Sequence, residues 1–228
     1  MSDTSENIKQ LKDELPGNVK LVAVSKTKTV DEIMKAYDAG HRFFGENRVQ
    51  ELLGKYEKLP HYIKWHMIGH LQRNKVKHIA GFIHMIESVD SEKLLRAINK
   101  EAIKAGRVID CLLQFHIARE ETKFGFSKEE AVGMIESGTL DELAGVNIRG
   151  VMGMATFTDD MERVRSEFAY LRSVFDELKE RFFSEKDDFC EISMGMSGDY
   201  KVALEEGSTM VRIGTLIFGA RYCKIDTN

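Results

Sequence analysis

Residues 189–214 read FCEISMGMSGDYKVALEEGSTMVRIG, which is two short apolar runs separated by a loop and a helical segment. The runs FCEISM (189–194) and TMVRIG (209–214) are predicted strands, because they are short, mainly apolar and bounded by turn residues. The same unit, a strand followed by a helix, recurs along the chain. Six further strand candidates are residues 19–25, 41–45, 63–69, 82–88, 108–117 and 147–154.

Two of the helices between these strands have a clear apolar face. Residues 160–181 carry large apolar side chains at spacings of three and four, namely Val164, Phe168, Leu171, Phe175 and Leu178. Residues 91–105 carry a similar stripe, and Gly106 is well placed to end that helix. Helices of this kind pack one face against a sheet and leave the other in water.

Strands that are apolar on both faces and joined by crossover helices predict a parallel sheet covered by helices. Eight such units can close into a barrel, and 228 residues suit a single barrel. We predict one α/β domain over residues 1–228, a (β/α)8 barrel with a short N-terminal helical extension. The same alternation also permits an open doubly wound sheet, because alternation does not show closure.

The composition is that of a folded protein, with 43% hydrophobic and 31% charged residues. A net charge of −4 argues against nucleic-acid binding, and the basic segment LQRNKVKH (71–78) is interpreted as a solvated face. No stretch approaches the ~20 apolar residues that span a bilayer, and the N-terminus lacks a secretory pattern. We expect a soluble, cytoplasmic protein that binds neither nucleic acid nor membranes.

Metal binding is not indicated by the cysteines or the histidines. Cys111, Cys190 and Cys223 are far apart and odd in number, which predicts neither a disulfide framework nor a CxxC zinc site. His66 and His70 are four residues apart, but WHMIGH lacks the glutamate of an HExxH motif. We therefore expect no metal site.

Functional groups of a β/α barrel cluster where the strands end. Lys26 follows the apolar run LVAVS, so its stem is expected to be partly buried, which lowers the pKa of an amine and favours attack on an aldehyde. Pairing with a carboxylate is the common alternative for such a lysine. Lys28, two residues later, is a competing candidate.

A phosphate cradle is predicted after the last two strands. The segment MGMSGD supplies Ser197 and Gly198 just before a helix, where backbone N–H groups can face an anion. After the next strand, Gly214 permits close approach, Thr215 offers a hydroxyl, and Arg212 brings a permanent charge. Barrels often bind phosphate at this place. A tight turn with a helix cap is the alternative reading.

Five ordered segments resemble the YggS/PROSC family of pyridoxal phosphate homeostasis proteins. They span nearly the whole chain and are VAVSKTK, FGENRVQE, WHMIGHLQRNKVK, GVMGMATFTDD and SMGMSGDYKVALEEGSTMVRIGTLIFGAR. The resemblance implies a barrel similar to the N-terminal domain of alanine racemase, and covalent binding of pyridoxal 5′-phosphate without established turnover. It also implies a role in intracellular vitamin B6 homeostasis, with pyridoxal phosphate-dependent apo-enzymes as possible recipients.

The resemblance also implies a role for each matching residue. Lys26 would carry the imine with the cofactor, and Arg212 would approach the pyridine nitrogen or the phosphate. An arginine at the ring nitrogen would disfavour its protonation and suit storage better than carbanion chemistry. Lys123, in REETKFGF, matches another lysine-bearing segment of the family. The phosphate would be held by Ser197, Gly198, Gly214 and Thr215, and the ring lined by Asn47 and Met67.

Two other function classes remain open at this point. A two-base racemase or lyase needs a second acid/base opposite Lys26, and His66, His116 and Tyr200 are candidates for it. The chain ends soon after the last predicted strand, so no additional domain is expected to supply that group. A barrel that binds a phosphorylated metabolite noncovalently would use the same cradle. We expect binding and delivery rather than turnover, by a monomer.

Overall fold

The computed structural model describes residues 3–118 and 124–220. In this part of the chain eight parallel strands form a closed barrel in sequence order. They are β1 Lys20–Val24, β2 Phe43–Glu46, β3 Lys64–Met67, β4 Met85–Val89, β5 Ile109–Phe115, β6 Val146–Gly153, β7 Glu191–Ser193 and β8 Met210–Ile213. The barrel closes where β8 pairs with β1, with Lys20 opposite Met210 and Ala23 opposite Ile213. The predicted barrel is confirmed, and the open sheet is excluded.

Helices connect the strands on the outside of the barrel. They are α1 Thr4–Glu14, α2 Val30–Asp38, α3 Val49–Tyr56, α4 Val76–Ile79, α5 Glu92–Lys104, α6 Lys128–Glu136, α7 Met161–Phe182, α8 Tyr200–Glu205 and α9 Thr215–Phe218, with short 3-10 turns at Arg73–Lys75 and Thr139–Glu142. Helix α7 starts and ends within one residue of the predicted range. Gly106 follows α5 with φ +65, a conformation that costs glycine little, as expected for a C-terminal cap.

The buried side chains form two layers. The larger one lies between the strands and the helices and includes Phe44 and Trp65, both inaccessible to water. The smaller one fills the inside of the barrel and comprises Val22, Met85, Leu112, Met152 and Met210. The barrel is therefore a packed core.

Gly150 is required by the way β6 meets β7. Its φ is +150, and a Cβ there would lie 1.8 Å from the carbonyl oxygen of Glu191. The pairing of β5 with β6 shifts register nearby, between Cys111 and Leu112. Only glycine fits this close approach of two backbones.

None of the described helices is both long and apolar enough to cross a membrane. Within the same residues, no cluster of three or more His, Cys, Asp or Glu side chains is arranged to hold a metal ion. Lys123 and Cys223 lie outside the described residues.

Candidate functional site

A cavity of about 410 Å³ opens at the carboxyl ends of the strands. This volume lies in the range of small-molecule sites. Its walls come from the ends of β1 and β8 and from the loops after β2, β3, β6 and β7. The cavity brings together seven of the eight residues predicted from the sequence, which are Lys26, Asn47, Ser197, Gly198, Arg212, Gly214 and Thr215.

The two halves of the predicted cradle are adjacent and joined. The backbone N–H of Gly214, after β8, donates to Ser197 Oγ, after β7, at 3.3 Å. The carboxylate of Asp199 accepts a hydrogen bond from the backbone N–H of Met196, which folds the β7 loop into a tight turn. Burial raises the pKa of Asp199. Hydroxyls and small residues therefore meet on one side of the cavity, where an oxyanion can approach the backbone.

Arg212 forms part of the cavity floor and is only 4% exposed. Its guanidinium donates to the carbonyl oxygen of Gly153 at 2.8 Å and to the hydroxyl of Ser193. Burial lowers the pKa of Arg212, but an arginine stays protonated in proteins. A fixed positive charge with a defined orientation thus faces the cavity.

A chain of buried polar side chains continues from Arg212 into the barrel. We call Arg212, Ser193, Glu87 and His66 the inner chain. The Ser193 hydroxyl donates to Glu87 Oε2, and His66 Nδ1 lies 2.6 Å from Glu87 Oε1. Burial alone would raise the pKa of Glu87, but the bond from His66 and the charges of His66 and Arg212 outweigh it and lower that pKa. Glu87 is therefore a carboxylate that balances Arg212.

The structure distinguishes the two candidate lysines. Lys26 is half-buried and lines the cavity directly after β1. Lys28 does not line it: its Nζ donates to the carbonyl oxygen of Phe218 at 3.0 Å and pairs with Glu32 at 3.2 Å. Lys28 ties α9 to the start of α2, and Lys26 is the lysine placed to meet a ligand.

Met67 does not line the cavity, which corrects the sequence prediction. Its side chain is fully buried in the layer between barrel and helices, and the next residue, Ile68, lines the cavity instead. Successive side chains of a strand point to opposite faces, so an error of one residue moved the prediction to the wrong side.

Asn47 lines the cavity and carries a buried polar atom that the protein does not satisfy. Its Oδ1 has no hydrogen-bond partner among the described residues. A Cβ at Gly69 would lie 2.6 Å from the carbonyl oxygen of Asn47, so this glycine allows the two loops to pack together. A buried unpaired oxygen or amide is costly, and a polar ligand would satisfy it.

The three suggested opposing bases lie elsewhere. His66 is inside the barrel beside Glu87, and the Tyr200 hydroxyl donates to Glu14 at 3.0 Å on the outside. His116 is also not a cavity residue. The titratable groups that line the described cavity are Lys26, Asp159, Asp199 and Arg212.

The sequence analysis gave no binding role to the loop after β6, and it did not identify Ser193 and Glu87 of the inner chain. Met154 and Thr156 line the cavity from this loop, and Met161 lines it from the start of α7. Glu87 had a visible signal, because it is a charged residue inside an otherwise apolar predicted strand. Such a residue is buried with a partner or does not belong to a strand.

A closed parallel barrel with a lysine, a buried arginine and a hydroxyl-rich cradle at one end defines a class of barrels suited to a phosphorylated carbonyl compound. A family model described as alanine racemase, N-terminal domain, matches residues 2–222. The chain is 42% identical over 203 residues to the pyridoxal phosphate homeostasis protein of Aquifex aeolicus, covering 89% of this chain and 87% of that one. The human pyridoxal phosphate homeostasis protein is 38% identical over 212 residues, 89% of this chain and 76% of the relative.

Solved structures agree with these relatives. PipY of Synechococcus elongatus, in a structure with PLP bound, has a TM-score of 0.86 at 34% identity over 95% of this chain and 100% of that one. An alanine racemase of Clostridium difficile shares the fold, with a TM-score of 0.75 at 14% identity over 97% of this chain and 58% of that one. The chain belongs to the alanine racemase N-terminal domain family and, within it, to the pyridoxal phosphate homeostasis proteins.

Proposed function

We propose that this protein binds pyridoxal 5′-phosphate in the cavity and acts in intracellular vitamin B6 homeostasis as a carrier or buffer. The observation that carries this proposal is the meeting of Lys26, Arg212 and both halves of the cradle in one cavity. When bound, the cofactor supplies an aldehyde for imine formation and an electron-withdrawing ring. The membership of the chain in a family named for this role supports the same assignment.

The residues present fit the cofactor. Lys26 would hold it covalently as an imine. The phosphate would lie on Ser197, Gly198, Gly214 and Thr215, whose loops are linked by the Gly214–Ser197 hydrogen bond. Asn47 would bind a polar group of the ring, which would satisfy its unpaired Oδ1. Arg212 would face the ring or the phosphate from the floor.

Storage rather than turnover is favoured by the charges around the cavity. Racemisation through two bases needs a proton-transferring group on each side of the bound substrate. Beside Lys26, the described lining offers two carboxyls, of which Asp199 is bonded to its own loop and Asp159 is exposed at the rim. The permanent charge of Arg212 would also disfavour protonation of a nearby ring nitrogen, which weakens electron withdrawal.

The experiment is a spectroscopic titration of the wild-type protein and Lys26→Ala with pyridoxal phosphate, followed by a screen of amino acids for racemisation and α-proton exchange. We expect a saturable imine absorbance in the wild type, none in Lys26→Ala, and no Lys26-dependent turnover. Robust turnover that depends on Lys26 would identify a pyridoxal phosphate-dependent racemase or lyase instead. Saturable binding without imine absorbance would indicate a barrel for a phosphorylated metabolite.

We also propose that the protein is a cytoplasmic monomer that passes its cofactor to apo-enzymes. The test of delivery compares reactivation of an apo-enzyme mixed with the loaded protein and of one separated from it by a dialysis membrane. Faster reactivation on mixing would support direct transfer, and equal rates would indicate release into solution. Light scattering measures the mass of the particle.

A further inference from the structure

Three charged side chains lie behind Lys26 on the outside of the barrel. Glu46 ends β2, and Glu51 and Lys55 lie one turn apart on α3; we call them the outer cluster. Lys55 Nζ lies 2.7 Å from Glu46 Oε1 and 2.6 Å from Glu51 Oε1. Glu46 is inaccessible to water and Lys55 is 6% exposed. Their charges are therefore removed from solvent, unlike an ordinary surface pair.

The outer cluster binds the chain on both sides of Lys26. Before it, Lys55 Nζ donates to the carbonyl oxygen of Ser25 at 2.7 Å, and the Ser25 hydroxyl donates to Glu46 Oε1 at 2.6 Å. After it, the backbone N–H of Thr27 donates to Glu51 Oε1 at 2.5 Å. All three protons of the Lys55 ammonium are used in this arrangement. The short segment that carries Lys26 is thus held from behind.

The backbone conformation of Thr27 explains why this segment needs the contacts of the outer cluster. Its φ is +66, and among the described residues it is the one non-glycine residue with a positive φ. A β-branched residue is strained there, at a cost of about 1–3 kcal/mol, and such strain persists only where the surroundings impose it. Because Thr27 follows Lys26 directly, its backbone sets the direction in which the chain leaves the lysine. Relaxation of Thr27 would turn Lys26 relative to the cavity.

We infer that the outer cluster consists of positioning residues, which hold the Ser25–Thr27 backbone so that Lys26 meets the aldehyde in a reactive orientation. This inference rests on the proposed function. A cluster with a purely structural role would affect the stability of the fold. A positioning cluster affects the rate at which Lys26 forms its imine.

The experiment measures the rate of imine formation by stopped-flow absorbance in five proteins: the wild type, Glu51→Ala, Thr27→Gly, the double variant and Glu177→Gln. Glu51 is chosen because its side chain is 26% exposed and its loss leaves the buried ammonium of Lys55 still paired with Glu46. Glycine adopts a positive φ without strain, so a glycine at position 27 does not need the hydrogen bond to Glu51 to keep this conformation. Glu177 lies on α7 and pairs with Lys128 of α6 and Arg181 of α7. It is the control for the loss of a surface carboxylate.

We expect Glu51→Ala to slow imine formation about tenfold, which corresponds to the lower part of the strain range. Thr27→Gly and Glu177→Gln should stay within about twofold of the wild type, and Thr27→Gly should restore the double variant to within about threefold. The melting temperature of each ligand-free protein is measured alongside. If Glu51→Ala does not fold, Glu51→Gln, which keeps an acceptor oxygen but loses the ion pair, takes its place with a smaller expected slowing.

An unchanged rate in Glu51→Ala, or a double variant as slow as Glu51→Ala, would overturn the inference while leaving the proposed function intact. A wild-type protein that forms no imine would overturn the proposed function, and the inference with it. A lower melting temperature of Glu51→Ala with an unchanged rate would assign the cluster to stability alone.

Discussion

The inner chain and the outer cluster both bury charged groups next to the cavity, but the pKa values of their two buried glutamates are shifted in opposite directions. Bonds and charges from the inner chain lower the pKa of Glu87 despite its burial. Burial raises the pKa of Glu46, and Lys55 and Ser25 offset it only in part. One oxygen of Glu46, Oε2, has no hydrogen-bond partner among the described residues, whereas both oxygens of Glu87 are bonded. The buried carboxylate that faces both His66 and Arg212 has a lowered pKa, and the one with a single bonded oxygen has a raised pKa.

The inner chain and the outer cluster also have different roles. The inner chain balances a buried arginine and therefore contributes to stability. The outer cluster holds a short piece of backbone and therefore contributes to the orientation of one lysine. Four predictions test this division of roles.

Removal of Glu87 should be the most damaging change. In Glu87→Ala the charge of Arg212 is left buried without its carboxylate, which costs about 3–5 kcal/mol. Urea unfolding of ligand-free protein measures the free energy of unfolding, with Glu177→Ala as a surface control. A loss of less than about 1 kcal/mol would show that the inner chain is not a stabilising unit.

The pH dependence of stability should distinguish Glu87 from Glu46. The folded-state pKa of Glu87 lies below its unfolded value, so its contribution is present above pH 4.5 and lost as the pH falls through the folded pKa. The folded-state pKa of Glu46 is raised, so its contribution is present below pH 4.5 and lost as the pH rises.

Glu87→Gln should therefore cost more stability at pH 7 than at pH 3, and Glu46→Gln should cost less at pH 7 than at pH 3. Urea titrations at a series of pH values measure both differences. If both substitutions cost more stability at pH 7 than at pH 3, or both cost less, the opposite pKa shifts of Glu87 and Glu46 would be contradicted.

Asn47→Ala should weaken binding of pyridoxal phosphate about fivefold, because one hydrogen bond of about 1 kcal/mol is lost. Its stability should not fall, since Oδ1 of Asn47 has no protein partner in the described chain. Asn147→Ala is the matched control: Asn147 bonds Asp110 and Asp188, so that variant should lose stability and keep its affinity. Equal affinities of Asn47→Ala and the wild type would remove Asn47 from the site.

Glu51→Ala should have the smallest effect on stability, less than about 1 kcal/mol, because its partly exposed ion pair is screened by water. Thermal melting of the ligand-free protein measures it. A loss as large as that of Glu87→Ala would place the outer cluster with the inner chain as a stabilising unit.

The sequence allowed the barrel and most of the cavity to be predicted, because both depend on local signals. Short apolar runs mark the strands, and Lys26, Ser197 and Gly214 lie at the ends of such runs or within three residues of them. Met67 was misplaced because β3 is buried on both faces, with the polar His66 inside the barrel and the apolar Trp65 and Met67 outside it, so hydrophobicity did not mark the inner side.

The outer cluster could not be predicted for a different reason. Glu51 and Lys55 have the spacing of an ordinary surface ion pair on a helix. The burial of Lys55, and the contacts of the two side chains with Ser25 and Thr27, arise only when α3 packs behind β1 and β2. The left-handed conformation of Thr27 likewise has no sequence signal, since threonine does not favour it.

The most direct test of the account is borohydride reduction of the protein incubated with pyridoxal phosphate, followed by digestion and mass measurement of its peptides. We expect the reduced cofactor to be attached to Lys26, and Lys28, which is bonded to Phe218 and Glu32, to remain unmodified. An unmodified Lys26, or attachment mainly at another lysine, would contradict it.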